Sequence, residues 1–185
     1  NVKNTDMIAA IDDNAVVNLA RLFNEPVGKT FLAKMGVPQE IITNLDLFGF
    51  SGISNMLSAI KMAKYYELDQ HDIVLTILTD SMELYVSRLT EMQQEFGVYR
   101  EMDAAMDYAR YLQGAGTDNL VELSYTDRRR VHQLKYYTWV EQQGKTYEEI
   151  QAQWHQRDYW SAVQQQAEEI DNLIEDFNRE TGLIK

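Results

Sequence analysis

Three consecutive polar residues, Thr79, Asp80 and Ser81, follow directly on the apolar run Ile73 to Leu78 (IVLTIL). The run is apolar or β-branched without alternation, which fits a central strand of a parallel sheet that is apolar on both faces. Ligands of open α/β sheets bind beyond the carboxyl ends of such strands. Two hydroxyls and a carboxylate at that end are therefore the first candidates for polar contacts to a ligand. Read only locally, the same residues make a strand-to-helix turn with Asp80 or Ser81 as helix cap. A second stretch, Gly49-Phe50-Ser51-Gly52-Ile53-Ser54-Asn55, opens a helical pattern, and its local reading is a cap at Ser51 or Ser54.

Other chemistries find less support. The histidines, His71, His132 and His155, stand at no metal-ligand spacing. The chain has no cysteine, which removes thiol nucleophiles, thiolate metal sites and disulfides and fits a cytoplasmic protein. There is no G-x-S-x-G, Walker or G-x-G-x-x-G pattern, and Gly114-Ala115-Gly116 reads as a helix stop. Glu148-Glu149 and Glu168-Glu169 read as solvated helix faces. A net charge of −12 repels nucleic acid and anionic membranes. The cluster Arg128-Arg129-Arg130 is the local exception and reads as a solvated or salt-bridged face. No apolar stretch approaches the roughly 20 residues of a membrane span, and there is no signal-peptide pattern. Tyr136-Tyr137-Thr138-Trp139, with Leu134 and Val140, has the helical spacing of a core face, a partner groove being the alternative. Met7, Met35, Met56 and Met62 read as gap-filling core.

The elements that would carry these residues are mostly helices. A chain of 185 residues, 45% hydrophobic and 11% aromatic, can bury a core as one domain with or without an appendage. A short strand is predicted over 6–11, then a helix beginning at Asp12-Asp13 and ending at Asn24-Glu25-Pro26. Further helices are predicted over 28–35, from Pro38, and from Ser51 or Ser54 to Tyr66. Beyond Ser81 one runs to about Phe96, with Leu84, Val86 and Leu89 as its apolar members. Only helices follow, over about 101–113, 126–143, 146–154 and 159–180. The pattern divides into an α/β part, 1–98, and a helical part, 99–185. Two strands make a poor sheet, so the rest of the sheet around Ile73–Leu78 is expected in a preceding N-terminal region or on another chain.

In order, the strand near residue 8, DDNAVVNLARLFNEPVGKTFL, GFSGISNMLSAIKMAKYY and IVLTILTDSMELYVSRL resemble the C-terminal part of fold-type-II pyridoxal phosphate enzymes of the cysteine synthase and threonine synthase type. AIKMAKYY and LKYYTWVEQQGKT resemble, more narrowly, the cysteine synthase-like group described as pyridoxal-phosphate-dependent protein β subunits. The resemblance implies a helix-rich α/β architecture: the end of a tryptophan-synthase-β-like domain over 1–98 and a helical appendage over 99–185. It implies pyridoxal phosphate as cofactor, with Ser81 sharing a hydrogen bond with the pyridine nitrogen and Thr79 and Asp80 beside it. Thr79 stands where proline is usual and Met82 where glycine is usual, and Asp80 leaves a charged partner for the nitrogen open. The Schiff-base lysine and glycine-rich phosphate loop of such enzymes lie earlier in the chain. Neither motif is present here, and Lys61 and Lys64 do not match the lysine position.

The implied function is the C-terminal portion of a lyase or synthase of amino-acid metabolism, acting by β-elimination or β-replacement and catalytically incomplete alone. Its expected partners are an amino-acid substrate and further copies or a partner subunit. The alternative is a stand-alone helical interaction module using Tyr136, Tyr137 and Trp139. Residues 99–185 could equally serve as an oligomerisation or lid appendage.

Overall fold

A computed structural model describes residues 2–184 as helix-rich, with one two-stranded sheet among them, divided into two compact units. The first unit spans Met7–Glu122. Strand β1 (Met7–Ala9) pairs antiparallel with β2 (Leu120–Glu122), Ile8 opposite Val121. Helix α1 (Asp13–Asn24) begins where the acidic pair predicts, the Asp12 carboxylate accepting from the Asn14 N–H at 3.0 Å. It stops at Glu25, and Pro26 opens α2 (Pro26–Lys34), its missing N–H costing nothing in a first turn. Gly28 lets α2 fold back sharply on α1. A Cβ there would lie 2.8 Å from the carbonyl carbon of Leu22 and closer still to its oxygen.

Short α3 (Gln39–Thr43), long α4 (Phe50–Tyr65), α5 (Val86–Phe96) and α6 (Glu101–Asp107) complete the unit. A π-helical turn, Tyr108–Gln113, extends α6 and closes through the Gly114 N–H on the Ala109 carbonyl at 2.8 Å, so the glycine pair is a helix stop. The core gathers Leu19, Leu22, Leu32, Ile53, Met82 and Met92. It also holds Arg21, which donates to the Gly97 carbonyl at 2.6 Å and lies 4.8 Å over the Tyr99 ring. The Tyr99 hydroxyl donates to Asp107 at 2.7 Å. Burial, then this bond, raises the Tyr99 phenol well above its ordinary value, and burial raises Asp107.

This core corrects the boundary expected near residue 98. Tyr99 and Ala104 are buried in it, so α6 and β2 belong to the first unit. It also corrects several side-chain faces. Met82 and Met92 are buried, whereas Leu84 and Val86 are exposed and Met35 is 46% exposed.

Ile73–Leu78 is the larger correction. It is not a buried strand but runs without regular secondary structure. Ile73, Leu75 and Ile77 are 93%, 92% and 69% exposed, whereas Val74 and Leu78 are near 40%. The alternation is that of an extended chain with one side partly screened. Among the described residues, the only hydrogen bond to its main chain comes from the Asn55 amide to the Ile77 carbonyl, at 2.9 Å. The strand expectation rested on β-branched composition, which reports how a residue sits in a sheet and cannot supply the neighbouring strands.

The second unit comprises residues up to 6 and from 123 onward. Helix α7 (Tyr125–Gln133) is capped by Ser124, with Asp127 reaching back to the Ser124 N–H. Arg128 pairs with Asp6 at 2.8 Å and Arg130 with Asp127 at 3.8 Å, the salt-bridged face expected of the arginine cluster. A single π-helical turn, Tyr136–Val140, replaces the expected continuous helix. Tyr136 and Tyr137 are exposed, so they are not the core their spacing predicts. The buried residues described in this unit are instead Leu123, His132 and Ile150, Gln153 and Trp154 of α8 (Tyr147–His155). The His132 Nε2 lies 2.9 Å from the Ile150 carbonyl and its ring 5.1 Å from Trp154. Helices α9 (Tyr159–Gln165) and α10 (Ala167–Glu180) follow.

Burial lowers the His132 pKa below its ordinary 6.5, so the folded unit holds the ring neutral. The unfolded chain takes up a proton near pH 6.5 that the folded chain refuses. This contribution to stability is complete above that range and lost as pH falls through about 6.5 toward the depressed native value. The melting temperature should therefore drop between pH 7.5 and 5.5, and His132→Gln should flatten that dependence; an unchanged slope would contradict it. Gly28→Ala should lower the melting temperature well beyond the roughly 1 kcal/mol of a typical substitution, because a helix backbone must move to admit the Cβ.

Candidate functional site

The two stretches singled out by their residue types meet in space. Gly49 is the N-cap of α4, with no side-chain cap, and its N–H donates to the Asp80 carbonyl at 2.9 Å. A Cβ on Gly49 would lie 2.5 Å from Asp80 Oδ1 and 2.9 Å from the Asp80 carbonyl oxygen. Glycine is thus required by close approach, not by the dihedral angle, since φ is −73°. Six residues further on, Asn55 holds the Ile77 carbonyl. The Phe50 ring meets Tyr85 edge to face, centroids 4.9 Å apart. Helix α4 therefore starts at Gly49, ahead of the expected caps Ser51 and Ser54, because the turn after Leu78 occupies the N-cap N–H.

Asp80 is committed within this junction. Its Oδ2 accepts from the Tyr85 hydroxyl and its Oδ1 from Thr79 Oγ1 at 3.2 Å. The bond to Asp80 is the main reason the Tyr85 phenol is raised, so it stays protonated at neutral pH. Tyr85 closes the 3₁₀ turn Met82–Tyr85, and Met82 is buried at its start. The larger side chain at Met82, where glycine was usual by resemblance, fills core. Ser81 is half-buried between these anchors, and among the described residues its hydroxyl has no hydrogen-bond partner. Thr79 is exposed. Of the three sequence candidates, Ser81 alone presents a polar group free for a ligand.

A neutral hydroxyl can donate to an unprotonated heteroaromatic nitrogen without protonating it. The α4 lysines do not fit a Schiff base. Lys61 donates to the Asp118 carboxylate at 2.9 Å and its carbonyl at 2.8 Å, and the first bond holds Asp118 below the usual carboxylate range. Lys64 donates to the Ala115 carbonyl and, at 3.4 Å, to that of Gln113. Both tie down the loop after the π-helical turn.

Two cavities adjoin α4. One of about 260 Å³ has Met7 and Ala9 of β1 on its lining with Val74–Thr76, over Asn55, Ser58, Ala59 and Met62. The other, about 300 Å³, is lined by Asp12, Lys61, Arg110, Tyr111 and Asn119 among others. No group of three potential metal-binding side chains occurs among the described residues. Sequence reasoning singled out the stretch Gly49–Asn55 but missed Tyr85 as part of the site. The spacing Asp80-x₄-Tyr85, one side chain reaching back across a single turn, is the signal that could have found it.

Comparison with protein-family models, curated proteins and solved structures gave no match. Gly49→Ala should push the Asp80 turn off α4 and lower the melting temperature markedly. Ser51→Ala, at an exposed position two residues on, should stay within about 0.5 kcal/mol of the parent. Equal effects would show that the close approach is not felt.

Proposed function

We propose that this chain is the C-terminal portion of a pyridoxal-phosphate-dependent enzyme of amino-acid metabolism, a lyase or synthase working by β-elimination or β-replacement, with Ser81 facing the pyridine nitrogen. The observation that carries the reading is the segment Ile73–Leu78. It has the side-chain alternation of a strand, few main-chain partners and exposed apolar side chains, and Ser81 follows it after Thr79 and Asp80. Such a segment behaves as a sheet strand awaiting neighbours. The groove beside β1 is one place where they would lie. The catalytic lysine and phosphate loop would come with those strands, so residues 1–185 alone would be inactive. Further copies or a partner subunit, and a cytoplasmic setting, belong to the same reading. No described helix is long and apolar enough to cross a membrane.

Pyridoxal phosphate, when bound, withdraws electrons from the substrate's α-carbon. The chain's own contribution is electronic tuning and exclusion. Ser81 offers the ring nitrogen a neutral partner and leaves it unprotonated, while Asp80, the nearest carboxylate in sequence, is held by Tyr85 and Thr79. That moderates electron withdrawal and suits elimination at the β-carbon. Residues Ile73–Leu78 would form part of a dry wall once paired.

The test is Ser81→Ala in the product of the whole reading frame. The cofactor absorbance band should shift and turnover should fall; an unchanged band and rate would sink the reading. A second reading, a helical interaction module, draws on exposed Leu134, Tyr136 and Tyr137 and on the apolar stripe Ile170, Leu173, Ile174 and Phe177 of α10. A cooperative melt indifferent to pyridoxal phosphate in the whole product would favour it.

A further inference from the structure

We propose that the cavity between α1, α4 and the π-helical turn is a binding site for a small zwitterion, an α-amino acid with an apolar side chain. The inference is independent of the function proposed above, because no residue of the Thr79–Ser81 turn lines this cavity. The cavity holds about 300 Å³, at the lower end of the range for small-molecule sites. Its walls are tied together by the chain itself. The Lys61 side chain of α4 is 12% exposed and reaches across to the Asp118 carboxylate and carbonyl, at 2.9 and 2.8 Å. Lys64, three residues on, holds the Gln113 and Ala115 carbonyls at the start of the same loop. The Ala10 N–H donates to the Asn119 carbonyl at 3.0 Å, joining that loop to the end of β1. The Asn18 amide donates to the Tyr111 hydroxyl at 3.1 Å, joining the π-helical turn to α1. These segments hold one another, so a ligand entering the cleft orders little that is not already ordered.

The charges on the cavity select the ligand. Four charged side chains line it, Asp12, Lys61, Arg110 and Asp118, two of each sign. Lys61 and Asp118 neutralise each other. That leaves one cation and one anion. Among the described residues Arg110 makes no ion pair; its guanidinium lies 5.2 Å over the Tyr111 ring, which orients it without neutralising it. Asp12 makes no ion pair among them either, and it accepts one N–H, that of Asn14, as the cap of α1. A carboxylate matches the planar fork of Arg110, and an ammonium matches Asp12. A bare anion would meet Asp12 as a like charge, and a bare cation would meet Arg110 as one; a molecule carrying both charges answers both. The floor is apolar: Ala15 and Leu57 are 7% and 4% exposed, with Ile11 beside them. It receives the side chain, which favours an aliphatic amino acid over glycine. Arg110 and Asp12 are both exposed, so water screens them and binding is weak.

The experiment is a titration of the full chain, followed by the amide proton and nitrogen shifts. The probes are L-valine, glycine, and two relatives of valine that each lack one charge, isovalerate and isobutylamine. L-Valine should bind saturably, with a dissociation constant of about 1 mM, and shift the amides of residues 114–119. Isovalerate and isobutylamine should each bind about tenfold more weakly, and glycine should also bind more weakly. Arg110→Gln should weaken L-valine about tenfold and leave isobutylamine no weaker than in the parent. Asp12→Asn keeps a side chain that caps a helix; it should weaken L-valine and tighten isovalerate. A loosened fold would not exchange the preferences in this way. Arg88→Gln, outside the cavity lining, should bind as the parent does. Isovalerate or isobutylamine binding as tightly as L-valine would overturn the zwitterion, and glycine doing so would overturn the apolar side chain. A parent-like Arg110→Gln, or no saturable shift with L-valine up to about 10 mM, would overturn the site. Should either variant fail to fold, the one-charge relatives on the parent chain decide the matter alone.

Discussion

The arrangement depends on one close approach, the main chain of Gly49 against that of Asp80. A hydrogen bond of 2.9 Å between backbone groups ties the start of α4 to the end of the Ile73–Leu78 segment, and no Cβ fits at Gly49. Around this contact the other bonds fall in sequence order: Asn55 to Ile77, then Phe50 against Tyr85. A helix N-terminus needs acceptors for its first N–H groups. A turn leaving an extended segment has a carbonyl to spare. Each end satisfies the other, which is why two short polar motifs nearly thirty residues apart form one site.

Behind the site lies a core with a charged centre. Arg21 is buried and uses the Gly97 carbonyl, Glu25 and the face of Tyr99. A guanidinium tolerates this because its planar fork stacks on a ring and is weakly hydrated. The Tyr99 hydroxyl passes the polar chain on to Asp107. This network draws residues after Gly97 into the first unit, and a cut near residue 98 would take the Tyr99 ring from the Arg21 guanidinium.

The apolar surface is unevenly distributed. Ile73, Leu75 and Ile77 project from the segment that leads to Ser81, and α10 carries Ile170, Leu173, Ile174 and Phe177 on one side. Contiguous exposed apolar stripes of this kind mark interaction sites, ligand-binding grooves or aggregation-prone surfaces. The segment differs from the helix in one respect: among the described residues its main chain makes one protein hydrogen bond, from the Asn55 amide to the Ile77 carbonyl.

Local chemistry was legible in the residues themselves. Asp12 as helix cap, Pro26 and Gly114 as punctuation, and Thr79-Asp80-Ser81 as a polar turn each follow from short-range backbone sterics and hydrogen bonding, which a few neighbouring residues determine. Which way a side chain faces was not legible: Met92 went inside and Tyr137 outside because burial depends on what packs opposite, and that partner is distant in sequence. The same reason governs the site. The residues themselves marked Thr79, Asp80 and Ser81 as candidates, and only the family resemblance put Ser81 first among them. The carboxylate is engaged locally, by Thr79 and Tyr85, but only the tertiary fold brought the Gly49 N–H onto the Asp80 carbonyl, because a hydrogen bond between residues about thirty apart exists only once the chain has closed on itself.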